Sequence, residues 1–243
     1  MKLRFVVLIV ISFLFQYNTS FSQLFPRFSI AGGPTIGWQF NKTDDINVEM
    51  RKIGVPEFPK DGFLTLGGGG FIELPIKGLT WLRLGGSGTG FTSKRQITTI
   101  DNITKTVYYS YGSGGISFEY VKHFGKRVEL TFGALLSTGK LNIELYQNTS
   151  GFGNWNTIFG EIGGSTQNIS RKLTVRFYSA QPQIGFGIFV TSFMYAKLNA
   201  GYLFSANNDW KVDDNIPVTN APTGIKADGF NINFGINLGL FTR

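Results

Sequence analysis

Few residues in this chain could do chemistry, and most of them stand alone. Glu73, Arg83, Glu119, Glu129, Arg176 and Lys197 are single charges set inside segments that otherwise alternate apolar with small or polar residues. If the turn after Val121 is five residues long, Glu119 lies directly opposite Glu129. Two adjacent carboxylates repel and resist ionising together unless a cation stands between them. Arg83 is the nearest candidate for that cation and Lys197 the next. Such a pair could act as catalytic acids, but in a narrow interior it reads better as a salt-bridged plug. His123 is the only histidine and cysteine is absent, so a metal centre would need carboxylates alone. Asp209, Asp213 and Asp214 read as a solvated acidic loop in preference to a calcium site. No phosphate-cradling or nucleophile-elbow motif is present, and no metal, cofactor or catalytic residue is expected.

The elements that must position these charges are strands. Residues 230–240 place an apolar side chain at every even position and Asn or Gly at every odd one, the pattern of a strand between an apolar and a polar medium. Similar segments cover roughly 28–40, 63–75, 79–94, 107–121, 127–145, 173–190, 194–206 and 229–242. Long connections (41–62, 95–106, 146–172, 207–228) alternate with short turns at Pro75 to Gly78, Lys122 to Lys126 and Thr191 to Phe193. Even strand number and alternating loop length predict an all-β, eight-stranded, antiparallel up-and-down transmembrane β-barrel with both termini in the periplasm. Val128, Leu130, Phe132, Ala134 and Leu136, and Met194, Ala196, Leu198, Ala200, Tyr202 and Phe204, should face lipid. A charge at the bilayer midplane costs about 2–4 kcal/mol on that face, so all six isolated charges should point into the lumen. In the sixth strand Val175 and Phe177 differ in parity from Ile184, Phe186, Ile188 and Val190, which predicts a bulge between Ser179 and Pro182. Trp38, Phe40, Tyr108, Tyr109, Tyr202 and Phe204 should form one interfacial girdle, and Trp81, Tyr120 and Phe241 the other. The run Gly67 to Gly70 and the glycines Gly85, Gly86, Gly88 and Gly90 permit tight coiling or offer a smooth outer patch to another membrane protein. A soluble β-sandwich or lipocalin-like barrel, with apolar residues inside, is the competing architecture.

The opening residues have the layout of a secretory signal. Lys2 and Arg4 precede an apolar run from Phe5 to Phe15, and small residues lead to a cut after Ser22, so 1–22 reads as a signal peptide and 23–243 as one barrel domain. The run is too short for a helical span, which needs about 20 residues. The chain carries a formal charge of +8, but the cations are scattered, which argues against nucleic acid. Phe152, Trp155, Ile158 and Phe159 lie among Gly and Asn in the third long loop. Phe152, Trp155 and Phe159 are the candidate partner-binding residues, with packing over the barrel mouth the alternative.

The Ser20-Phe21-Ser22-Gln23 signal end, the Gly-rich strand from Phe28 to Phe40 and the closing Phe234-Gly235-Ile236-Asn237-Leu238-Gly239-Leu240 resemble the porin-family outer-membrane β-barrel proteins common in Bacteroidota. The architecture also resembles the OmpA-type transmembrane domain. This resemblance implies an outer-membrane location, contact with outer-membrane lipid and no shared enzymatic activity. The expected function is a non-enzymatic barrel that presents long loops to a protein or surface ligand, as an accessory subunit of a secretion or barrel-assembly complex or an envelope protein. A narrow channel for ions or small solutes is the alternative. Outer-membrane enzymes of similar architecture place histidine at the extracellular rim, whereas His123 falls in a turn at the other end.

Overall fold

The computed structural model describes residues 28–74, 76, 78–148 and 168–242. The predicted signal segment and the loop bearing Phe152, Trp155 and Phe159 lie outside the described residues. Eight long strands are β1 (Phe28–Asn41), β2 (Phe63–Glu73), β3 (Leu82–Thr98), β4 (Thr104–Phe124), β5 (Val128–Asn148), β6 (Ile169–Phe189), β7 (Met194–Asn207) and β10 (Gly229–Thr242). Each pairs antiparallel with its neighbours in chain order, and β1 pairs with β10, so the sheet closes on itself. Closure leaves the spanning part without free edges, as hydrocarbon requires. The connection after β1 holds a helix, α1 (Asp44–Lys52), and that after β7 holds a small hairpin of β8 (Lys211–Val212) and β9 (Ile216–Pro217).

Within the closed ring the odd-numbered residues of every long strand turn inward and the even-numbered ones outward. This constancy corrects the predicted bulge in β6. The β5–β6 ladder runs without a shift from Val128↔Ile188 to Gln147↔Ile169. Pro182 pairs with Ala134 on the β5 side, and on the β7 side the ladder is interrupted beside it and resumes in the same register. Pro34 leaves the same kind of gap against β10. A residue with no N–H removes a rung but does not oblige an extra residue. Val175 and Phe177 therefore face the interior, and both are fully buried.

Two connections also differ from expectation. Strands β3 and β4 stay paired as far as Thr98↔Thr104, so the second loop is a short hairpin, 99–103, at the end of extended strands. The turn after β4 is tighter than five residues, since Phe124 already pairs with Val128, and Gly125 takes the left-handed φ of 68° that this turn demands. In consequence Glu129 stands opposite His123, and Glu119 stands opposite Gly133. The expected Glu119–Glu129 apposition does not occur.

Candidate functional site

The interior is built in three levels. At the end where β1 begins and β10 finishes, Arg83 of β3 lies opposite Glu73 of β2 on one side and Glu119 of β4 on the other. Its guanidinium donates to Glu73 through Nε at 2.9 Å and through a second, shorter contact, reaches Glu129 at 2.6 Å, and donates to the Tyr195 hydroxyl at 3.1 Å. The Tyr195 hydroxyl in turn donates to Glu129. The Phe71 ring lies 4.0 Å below the guanidinium carbon, a cation–π contact in a site shut off from water. Lys197 donates to both oxygens of Glu119 at 2.6 Å, and Gln183 adds a third bond at 2.9 Å. Arg83, Glu73, Glu119, Glu129 and Lys197 are all buried. Five of the six predicted lumen charges thus meet in one network.

Arg176 does not join them. It is on the outer face of β6, exposed and opposite Lys140, because its level lies above the apolar belt, where the outer face meets polar surroundings and a charge there costs little. Sequence reasoning missed Tyr195, Gln183 and Phe71, whose inward parity was legible but whose reach across the lumen was not. It also separated His123 from the network. His123 Nδ1 lies 3.4 Å from the second oxygen of Glu129. Glu73, His123 and Glu129 each offer a ligand atom within 4.8 Å of the others, so they could hold a divalent cation, but only by displacing Arg83 from the carboxylates.

Above the charged level lies a neutral polar one. Ser137 and Ser179 share a 2.6 Å hydrogen bond, and Gln181 and Asn233 both donate to Asn231. Gly133 lets the β4 backbone at Phe118 and Glu119 approach closely, since a Cβ there would lie 2.1 Å from the Phe118 carbonyl oxygen.

The third level is an apolar core inside the opposite mouth. Phe63, Phe91, Val107, Tyr109, Tyr111, Leu141, Ile143, Val175, Phe177 and Leu203 from the strands pack with Ile46, Met50, Val55 and Phe58 of the first connection and Trp210, Ile225 and Ala227 of the last. Tyr109 is thus a core residue and no part of a girdle. Asn47 fixes α1 to this plug: it is fully buried, its amide donates to the Phe58 carbonyl at 3.0 Å, and its oxygen accepts from the Phe58 N–H at 2.8 Å. Asp44 and Asp45 in the first turn and Arg51 and Lys52 in the last suit the helix dipole. On the solvent side Lys60 and Asp44 pair at 2.8 Å. That hydrogen bond holds the Asp44 carboxyl below its ordinary range and the Lys60 ammonium above its own. Asp213 and Asp214 pair with Arg171 and Lys172 of β6. A cavity of about 380 Å³ remains between α1 and the last connection, lined by Met50, Ile143, Leu173, Trp210 and Ile225.

The outer wall inverts the composition of the interior. Leu66, Ile116, Phe132, Leu136, Ile184, Leu198, Phe234 and Leu238 are exposed, Leu66 by 64%, while Arg83 and Glu129 are at 0%. No soluble lipocalin-like barrel could present that face to water. The chain is a membrane-spanning β-barrel. Aromatic rings rim the belt as expected at Trp38, Phe40, Tyr202 and Phe204 on one side and at Trp81 and Tyr120 on the other. The Phe40 ring also lies tilted against Phe230, and Trp81 against Tyr120. Phe241 leaves the girdle, since its ring packs inside against Phe189 and Tyr195.

No family model matches the chain. No curated protein matches it either. Among solved structures it is similar to Ail, the attachment invasion locus protein of Yersinia pestis (16% identity, 88% of this chain and 98% of that one, TM-score 0.36). It is also similar to CarO2 of Acinetobacter baumannii (9%, 87% and 99%, 0.34) and to the outer membrane protease OmpT of Escherichia coli (8%, 89% and 95%, 0.34). Superpositions this loose carry no function across; the barrel assignment rests on this chain's own register and burial.

Proposed function

We propose that this protein is a non-enzymatic outer-membrane barrel whose closed lumen serves stability and whose capped, extended rim serves recognition of a protein or surface ligand. The observation that supports this reading is the filling of the interior at every level: ion pairs at one end, an amide and hydroxyl layer in the middle, and an apolar plug at the other. The wall is also much taller than a bilayer requires. Strands β4, β5 and β6 have 21 residues each, about 50 Å along the axis at ~3.3 Å per residue and ~40° tilt, against an apolar band of ~25 Å. The excess lies at the end remote from the start of β1 and the finish of β10, with α1 and the β8–β9 hairpin. In this reading the signal peptide delivers the chain to the outer membrane, both termini remain periplasmic and the tall rim is extracellular.

Partner capture, as an envelope protein or an accessory subunit of a secretion or barrel-assembly complex, belongs to the rim and to the loop with Phe152, Trp155 and Phe159. The outward glycines of β2 and β3 are a second partner surface. Deleting residues 152–159 should leave membrane insertion intact and abolish cross-linking to envelope proteins on intact cells; unchanged cross-links would overturn the role given to that loop. The channel reading requires a continuous wet path. Protein refolded into planar bilayers should show no stable conductance steps, and regular steps that change with Arg83→Ala would establish a channel instead.

A further inference from the structure

The outer wall carries a cationic recess that neither the lumen nor the cap explains. Lys140 of β5 stands directly opposite Arg176 of β6, and Gly112 of β4 is on the other side of Lys140. Both cations are exposed, and among the described residues neither has an ion pair. Like charges facing each other across a ladder are unfavourable. Glu144, the carboxylate next up the same face of β5, is opposite Lys172 and accepts from the Tyr146 hydroxyl at 2.9 Å.

The recess has an open volume of about 720 Å³, with Gly112 and Gly114 as its floor and Ser110, Asn142, Lys140 and Arg176 around it. The barrel does not need glycine at 112: a Cβ there would meet nothing within 4 Å. The hydrogen bonds around the recess run in one direction. Thr174 donates its hydroxyl to Asn142 Oδ1 at 3.0 Å, and Asn142 donates its amide to Ser110 Oγ at 3.3 Å. Ser110 then has its own O–H to give. The recess therefore offers an ammonium, a guanidinium and an oriented hydroxyl, all donors, and suits a multiply charged anion rich in acceptors. Two rows below Lys140 and Arg176, Leu136 pairs with Ile116 and Ala180 on the apolar belt, and the exposed Tyr178 stands between these levels. A ligand held by its anionic head at the recess would lay its chains on that belt.

We infer that Lys140, Arg176 and Ser110 form a binding site on the outer wall for the phosphate of a membrane amphiphile. Resting on the orientation proposed above, that amphiphile is the phosphorylated lipid of the outer leaflet. Native mass spectrometry of the detergent-solubilised protein incubated with bisphosphorylated lipid A should show a retained adduct. Lys140→Gln/Arg176→Gln should weaken retention by about thirtyfold, the effect of removing two basic contacts to an anionic surface. Gly112→Leu, which fills the recess and keeps both charges, should also weaken it. Lys122→Gln, an outward cation at the opposite rim, should leave it unchanged. Equal retention of dephosphorylated lipid A, full retention by the double variant, or complete competition by millimolar inorganic phosphate would each overturn the proposal. Binding in detergent does not depend on orientation, which is read separately: trypsin added to intact cells should cut at Arg51 and Lys52, and protection there would reverse the orientation while leaving the binding result standing.

Discussion

At the residue scale the charged level depends on Arg83. Among the described residues it is the one cation in contact with Glu73, Glu129 and Glu119 together. Breaking a buried pair by removing one partner typically costs about 3–5 kcal/mol, because the other charge stays buried. Arg83→Met should therefore lower the temperature at which the barrel loses its compact form on unboiled gels, and adding Glu129→Gln should restore part of the loss; an unchanged transition in Arg83→Met would show that the network is dispensable. Asn47 is the corresponding residue of the cap. Asn47→Ala leaves the Phe58 N–H and carbonyl without their partner, worth about 1–3 kcal/mol of local stability. It should speed tryptic cleavage at Arg51, Lys52 and Lys60 without changing insertion. The inward charges Glu73, Arg83, Glu119, Glu129 and Lys197 were legible in the sequence, because hydrocarbon cannot take them. The partners His123 and Tyr195 were not, since they follow from turn length and from reach across the lumen.

At the element scale, the strands' existence was legible, and so was their inward parity wherever the outer face meets hydrocarbon, because apolar and polar residues alternate there. The misreadings of β6, Tyr109 and Arg176 share one physical cause. Above the belt the outer face meets water and the inner face meets the apolar plug, so the two faces exchange polarity while parity stays constant. Val175, Phe177 and Tyr109 are apolar or aromatic and inward, and Arg176 is charged and outward, although each would be reversed if hydrocarbon continued to that height. The helix α1 was hidden for a related reason: it is short, and its apolar face exists only against the plug. Two strand glycines show how the space for a side chain can differ between the faces. Inward Gly133 would place a Cβ 2.1 Å from the Phe118 oxygen, whereas outward Gly88 has its nearest neighbour at 3.4 Å. Gly133→Ala should cost about 1–3 kcal/mol or more through overpacking, and Gly88→Leu should leave folding unchanged. The comparison can be made by refolding yield and the gel shift, and equal loss in both would remove the distinction.

At the scale of the whole molecule one division underlies the rest: within the belt the even-numbered face meets lipid, and the odd-numbered face is a dry, filled interior. The absence of cysteine makes this directly measurable, because a single introduced cysteine carries a spin label at a chosen site. Labels placed one at a time along 194–204 of β7, in protein reconstituted in vesicles, report collision with oxygen, which concentrates in lipid, and with a water-soluble nickel chelate. Strict alternation is expected, with high oxygen accessibility at even positions and low accessibility to both reagents at odd ones. High nickel accessibility at the odd positions would reveal an open aqueous lumen, and high oxygen accessibility there would put the wrong face in the membrane; either result would contradict the closed barrel described above.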